Sequence, residues 1–378
     1  MGSIPMGRTY LFDISMNDIN NLFFELIQVA LGVRVCLSHS PTAEEWKMLY
    51  DMAKKQSLVG VCFAGVQKLQ TQRQEPTEML YLTWMGMAAK IQQRNETVNK
   101  QCVELQERLT KEGFRSCILK GQGNSDNYGQ LALLRQSGDI DIWVEGGFYK
   151  VYNWAKNIAP SDEINQHHIH FDYFSDTEVE LHYTPFVLNN PIRNNVLRKY
   201  FAENEDLQFS NQINLPDGSM IFAADNSFNI VFQLVHVFHH LFTEGIGLRQ
   251  LMDYYFVLRN IEETTRLKHS KACVQSLGIC RFASALMWVM GKVFGLEEKY
   301  MLWTPCEKDG LFLLNEIMQA GNFGHQDARV PKNMSHWKSF WYLNFYNLRL
   351  TKFDYWNWFW GPIIRTYGFT WRKIHGFR

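Results

Sequence analysis

Two periods of apolar and polar residues run along this chain, and the switch between them divides it. As far as Gly113 the spacing is helical. Residues 17–31 mix apolar and polar positions at three- and four-residue intervals. Pro41-Thr42-Ala43-Glu44-Glu45 reads as a helix start, with Thr42 as cap and Glu45 three residues on, a capping box. From Pro76 to Glu112 the only glycine is Gly86 and no further proline occurs, which predicts one long helix ending at Gly113. The pattern then shortens. Residues 114–119 and 140–144 are apolar strand runs, and 148–158 reads as a helix. Residues 168–174 and 178–183 alternate and pair through the turn Ser175-Asp176-Thr177. Residues 121–138, rich in Gly, Asn and Gln, form a loop with a short helix around 128–135. From Asp225 the helical period returns. Asp225 or Asn226 caps a helix whose face is Phe228, Phe232, Val235, Phe238 and Phe242, and further helices follow at 247–260, 263–275, 279–294 and 308–319.

This pattern predicts an α+β protein. A helical N-terminal region (1–112) precedes a small mixed-sheet core (113–222). A helical C-terminal domain (223–330) and an aromatic-rich tail (331–378) follow it. Composition narrows the function classes. Hydrophobic residues make up 46% and charged residues 20%, which excludes a disordered chain. The 38 basic and 38 acidic side chains cancel, so no global field draws the chain to nucleic acid. Seven cysteines without a C-x-x-C pair argue against a disulfide framework or a cysteine zinc site. No basic stretch followed by an apolar run opens the chain, and no apolar run reaches the ~18 residues of a spanning helix. A cytoplasmic protein is the expectation.

The chemistry concentrates at Gly138-Asp139-Ile140-Asp141-Ile142-Trp143-Val144. Carboxylates one residue apart on a strand face the same way. At a strand end they suit a hard cation such as Mg²⁺ or Mn²⁺, which can offset the charge of a nucleoside triphosphate. Lys120-Gly121 ends the preceding strand, and Glu180 alternates with Val179 and Leu181 on a later one.

Taken in order, Ile118-Leu119-Lys120-Gly121, Tyr128, Arg135, Asp139-Ile140-Asp141, Val179-Glu180-Leu181-His182 and Gly247-Leu248-Arg249-Gln250-Leu251-Met252-Asp253 resemble the uncharacterised nucleotidyltransferase family of the polymerase-β-like superfamily, over roughly residues 115–260. The resemblance implies a nucleotidyltransferase-type core. It implies Mg²⁺-dependent transfer of a nucleoside monophosphate from an NTP to an acceptor hydroxyl. Asp139, Asp141 and Glu180 would be the metal and catalytic residues. Lys120, Gly121, Ser125 and Arg135 would hold phosphates. Arg249 either pairs with Asp253, four residues on, or contacts nucleotide. The pattern departs from the superfamily in one respect. Gly121 is followed by Gln122 rather than Gly or Ser, and it lies 18 residues ahead of Asp139.

Other signals stay open. His236, His239 and His240 read as hydrogen-bonded histidines facing the cleft, since no H-E-x-x-H is present. His168 and His170 share a strand face with Asp172 and either line the cleft with Glu180 or face solvent. Tyr128 reads as a packing residue. The tail 337–378 holds six of the twelve tryptophans, with Arg365, Arg372, Lys373 and Arg378. It packs, binds a partner protein or rests on a membrane surface. The acceptor is a protein, sugar or small molecule rather than nucleic acid. Two other readings compete: an inactive interaction protein that keeps the fold, and a D-x-D glycosyltransferase.

Overall fold

The computed structural model describes residues 7–159, 161, 163–321, 329 and 336–375. Residues 1–6, at the chain's opening, and Arg378, of the basic tail, lie outside them. The architecture is mixed α+β, with a small four-stranded sheet set among helices.

The N-terminal helices are α1 (Gly7–Ala30), α2 (Ala43–Lys55), α3 (Val59–Leu69) and α4 (Glu78–Lys111). Helix α2 starts as its spacing dictates. The Glu45 N–H donates to Thr42 Oγ1, and the Glu45 carboxylate accepts the Thr42 N–H at 2.8 Å. Helix α4 is the spine of the molecule. Near its start Trp84 packs edge-on against Trp46 and donates its indole N–H to the Val59 carbonyl at 2.8 Å. Further along, Val98, Cys102, Leu105 and Leu109 join the core beneath the sheet. One continuous helix therefore ties the helical region to the sheet.

The sheet order is β1 (Ser116–Ile118), β2 (Ile140–Val144), β4 (Val179–His182), β3 (His168–His170). Strands β1 and β2 are antiparallel, β2 and β4 parallel, and β3 and β4 antiparallel. The crossover from β2 to β4 carries α6 (Gly147–Ile158), because parallel neighbours need a long connection. Ile140, Ile142, Val144, Val179, Leu181 and Ile169 turn to α4 and α6. The opposite face carries Trp143, against Phe209 and Phe228, together with the polar residues described below. The run at 168–174 is strand only as far as His170. The Tyr173 N–H folds back onto the Phe171 carbonyl at 2.7 Å, and Asp172 is left exposed outside the strand.

Between β1 and β2 the loop makes one turn of 3₁₀ helix, then α5 (Ser125–Tyr128), then a second 3₁₀ stretch from Gly129 to Leu134. After β4 comes α7 (Pro191–Gln208), which sequence reading missed. Asn190 caps it, accepting the N–H groups of Ile192 and Arg193, with Pro191 in the first position. The hairpin β5 (Gln212–Asn214) and β6 (Met220–Phe222) leads to α8 (Asn226–Thr243). Asp225 caps α8, accepting Ser227 N–H at 2.7 Å and Phe228 N–H at 3.2 Å. Helix α8 is buried nearly all round, so its apolar face is wider than the spacing suggests. Helices α9 (Leu248–Arg259), α10 (Thr265–Ser276), α11 (Cys280–Phe294) and α12 (Glu307–Ala320) close the C-terminal side, followed by α13 (His336–Tyr346) and α14 (Tyr355–His375). All seven cysteines are free thiols. No single described helix is long and apolar enough to cross a membrane.

Candidate functional site

The polar face of the sheet forms one wall of a cleft of about 1280 Å³. In the β2–β4 register Asp141 lies directly beside Glu180. Asp139 precedes β2 by one residue and lines the same cleft. Three carboxylates thus converge, which is costly unless cations answer them. Lys120 is one such cation. Its Nζ lies 3.0 Å from Asp141 Oδ1 and 3.0 Å from His236 Nε2 on α8. His182, two residues after Glu180, is the other. Its Nε2 lies 3.1 Å from Asp141 Oδ1 and 3.3 Å from Glu180 Oε2, and its Nδ1 faces the Pro185 carbonyl at 3.1 Å. Burial opposes charge on both groups, but the carboxylates outweigh it. The Lys120 ammonium is held above its ordinary range, and His182 is raised to about 9. Burial likewise opposes ionisation of Glu180, yet His182 and Lys120 keep its carboxyl below the usual range. Glu180 is therefore an anion at neutral pH.

His168, His236 and His239, also in the cleft, behave oppositely. Burial, then the neighbouring His182 and His170, lowers His168 to about 2. Burial lowers His239 to about 3. Burial, then Lys120, holds His236 well below the usual imidazole range. These rings are neutral. His168 and His170 line the cleft with Glu180, whereas Asp172 does not join them.

A small side pocket of about 30 Å³ shares Lys120, Asp139 and His236 with the cleft and adds Gly121, Asp141 and Arg249. Gly121 adopts φ +60°, which lets the chain turn sharply behind Lys120. Arg249 donates from Nη1 to the Gln136 carbonyl at 3.0 Å. Asp253, four residues from Arg249, is also the centre of a fork to another arginine. Asp253 Oδ1 and Oδ2 accept Arg135 Nε and Nη2, both at 2.7 Å, and Oδ1 also accepts the Tyr128 hydroxyl at 2.6 Å. Arg135 and Asp253 are 7% and 6% exposed, so two of the three guanidinium nitrogens are engaged inside the protein, while both residues also line the side pocket. Tyr128 is a packing residue with a polar anchor, stacked near Phe256. Ser125 is buried and lines neither cavity. The loop ahead of it is stapled to α4, where Gln122 Nε2 donates to Asn95 Oδ1 and Asn99 Oδ1 and Asn95 Nδ2 donates to the Arg135 carbonyl at 2.6 Å.

Sequence reasoning missed His182 as a partner of the carboxylates. The signal was present, because His182 stands two residues from Glu180 on the same strand face. Helix α14 completes the cleft. Gly361, Arg365, Gly368, Arg372 and Lys373 line it, while Trp356, Phe359, Ile363 and Tyr367 point outward and are exposed.

The donor set fits a hard divalent cation. Asp141 and Glu180 offer carboxylate oxygens within 4.8 Å of each other and of a His182 ring nitrogen, Asp139 adds a further carboxylate to the same wall, and His182 would join as a ligand only on losing its proton. The fold and this constellation define a nucleotidyltransferase-type protein. A family model described as an uncharacterised nucleotidyltransferase matches residues 42–295, well over half of the chain, and the chain belongs to that family. No curated protein and no solved structure matches it.

Proposed function

We propose that the protein transfers a nucleoside monophosphate from an NTP to an acceptor hydroxyl, with pyrophosphate as the leaving group. The observation that carries this reading is the alignment of Asp141 beside Glu180 in adjacent strands, with Asp139 on the same wall and Lys120 in contact with Asp141. In the reaction the acceptor hydroxyl loses its proton to solvent as its oxygen bonds to the α-phosphorus. The bond from that phosphorus to the bridging oxygen breaks, and the electron pair leaves with pyrophosphate. Bound Mg²⁺ or Mn²⁺ would offset charge on the phosphates. Asp139, Asp141 and Glu180 would hold the cation. A carboxyl held below its usual range is a weak proton acceptor, so Glu180 suits that role better than general base. Lys120, held charged, would meet triphosphate oxygens, and Arg249, which also lines the side pocket, would extend that contact. Arg135 acts one step back, holding α9 against the loop through Asp253.

The acceptor is expected to be a protein, sugar or small molecule. The neutral net charge disfavours a long nucleic acid. A cytoplasmic setting and a partner or membrane contact through 337–378 complete the reading.

The test is incubation of purified protein with each α-³²P NTP and Mg²⁺ or Mn²⁺, with cell lysate as acceptor source, beside Asp139→Ala/Asp141→Ala. Label transferred by wild type and not by the variant is expected. Absence of both label and metal-dependent nucleotide binding would overturn the reading in favour of an interaction protein. One observation favours that second reading: Asp141 already has Lys120 and His182 as partners.

A further inference from the structure

Strand β3 brings two imidazoles to the carboxylate wall. Its register sets His170 opposite Glu180 and His168 opposite His182 on the antiparallel neighbour β4. Residues two apart on a strand share a face, so His168, His170, Glu180 and His182 form one continuous surface. The rings confirm the closeness, with His168 to His170 centroids at 5.1 Å and His168 to His182 at 5.2 Å. The two oxygens of Glu180 aim at different neighbours. Oε1 is 3.4 Å from His168 Nε2, and Oε2 is 3.3 Å from His182 Nε2.

We infer that the cleft holds two adjacent cation positions that share Glu180, and that His168 and His170 make the second one selective for a transition-metal ion such as Mn²⁺, Zn²⁺ or Co²⁺. This rests on reading Asp139, Asp141 and Glu180 as cation ligands. His168, His170 and Glu180 offer ligand atoms within 4.8 Å of one another, as do Asp141, Glu180 and His182. Metal–ligand bonds of about 2.0–2.2 Å need only a small inward movement from such a spread. Two imidazoles with one carboxylate are the donors that zinc and other borderline ions prefer, whereas Mg²⁺ favours oxygen ligands and water. A bridging carboxylate between two ions is the arrangement of two-metal sites, with ions about 3.5–4 Å apart.

The position is reachable, because His168, His170 and Glu180 all line the cleft and His170 is only half-buried. His168 is 6% exposed, and its Nδ1 has no hydrogen-bond partner. Its Nε2, the nitrogen that faces Glu180, also sits 2.7 Å from the Asn165 side-chain amide, a contact that an ion bound at Nε2 would replace. The oxygen-rich position and the imidazole-rich one therefore differ in chemistry while sharing one strand residue.

The experiment uses full-length protein freed of metal by a chelator. Co²⁺ is titrated while its visible absorption is followed, and Mn²⁺ is titrated in parallel by electron paramagnetic resonance. Wild type is compared with His168→Ala/His170→Ala, with His170→Asn alone, and with Asp139→Asn. Thermal melting checks that each variant folds. His170→Asn, at a half-buried position, guards against loss of the fold. We expect Co²⁺ absorption in wild type and at least a tenfold weaker Co²⁺ affinity in both histidine variants. Mn²⁺ binding should persist in them at reduced stoichiometry, and Asp139→Asn should keep the Co²⁺ signal. Co²⁺ affinity within twofold of wild type in both histidine variants would overturn the second position. If Mn²⁺ binding then still depended on Asp139, the proposed function would survive that result. Absence of both Co²⁺ and Mn²⁺ binding in wild type would overturn both.

Discussion

Two ion pairs frame the side pocket, and they serve opposite ends. Arg135 and Asp253 form a closed fork: two bonds of 2.7 Å, a third from Tyr128, and almost no exposure. Lys120 and Asp141 form an open pair: one contact of 3.0 Å, with Asp139, Glu180 and His182 crowding the same wall of a large cleft. In the first, opposite charges balance locally and every carboxylate oxygen is used. In the second, three carboxylates meet one lysine and one histidine, so anionic charge remains for a cation. In the sequence both pairs look alike, as a basic and an acidic residue far apart along the chain. The balance of charge within each cluster, rather than the presence of charged residues, separates a clamp from a reactive site.

The largest effect expected from this contrast is on stability. Asp253→Ala leaves Arg135 buried without its counter-charge and strands the Tyr128 hydroxyl. Loss of one partner of a buried pair costs about 3–5 kcal/mol. Chemical denaturation should show a drop of that order. A loss below about 1 kcal/mol would mean that water reaches Arg135 and that the fork does not clamp α9 to the loop.

Asp139→Asn should do the reverse. It removes a carboxylate whose charge opposes that of Glu180, so stability should stay within about 1 kcal/mol of wild type or rise. Label transfer should fall about 10²–10³-fold, the usual cost of removing one preorganised charge. Activity within threefold of wild type would remove Asp139 from the site.

Much of this contrast was legible in the sequence, and the reason is geometric. The two-residue period of a strand places Asp139 with Asp141, and Glu180 with its own face, from residue order alone. The capping box at Thr42 and the cap at Asp225 were equally local signals. What could not be read was the partner across the fold. Asp253 lies four residues from Arg249, a spacing that predicts a helical pair, yet a residue 118 positions away occupies it. Local spacing states which contacts are possible, and long-range packing chooses among them. Helix α7 escaped notice for a related reason, since its polar run shows no strong apolar stripe. The aromatic tail shows the same gap. Helix α14 turns Gly361, Arg365, Gly368 and Arg372 to the cleft beside Trp358 and Phe369, and leaves Trp356, Phe359 and Ile363 exposed.

Acid should expose a third difference, between the charged His182 and the neutral His236 and His239 of α8. His239 is lowered to about 3 in the fold, against about 6.5 in the unfolded chain. The unfolded state therefore binds the proton first. The neutral ring costs nothing above pH 6.5, and stability falls as pH drops below that value towards 3. The slope contributed by one such histidine is at most about 1.4 kcal/mol per pH unit. His239→Gln should flatten the stability profile between pH 6.5 and 5 by up to that amount. An unchanged profile would show that His239 is protonated in the folded protein.

The smallest effect should come from Ser125. Its hydroxyl suits phosphate binding by residue type, and its loop follows Lys120 as a phosphate loop would. The fold removes it from that task. Ser125 starts the short helix α5, is 7% exposed, and lines neither the cleft nor the side pocket. The loop before it is fixed to α4 through Gln122, Asn95 and Asn99, so a swing towards the cleft would break two side-chain bonds. Under the proposed function Lys120 and Arg249, which line the side pocket, would meet the triphosphate instead. Ser125→Ala should therefore leave the KM for NTP within about twofold, whereas Lys120→Ala should raise it at least tenfold, the scale of one charge-assisted phosphate contact. If Ser125→Ala matched Lys120→Ala, the loop would have to leave α4 when nucleotide binds, and the open pair would extend further along the chain than Lys120 and Asp141.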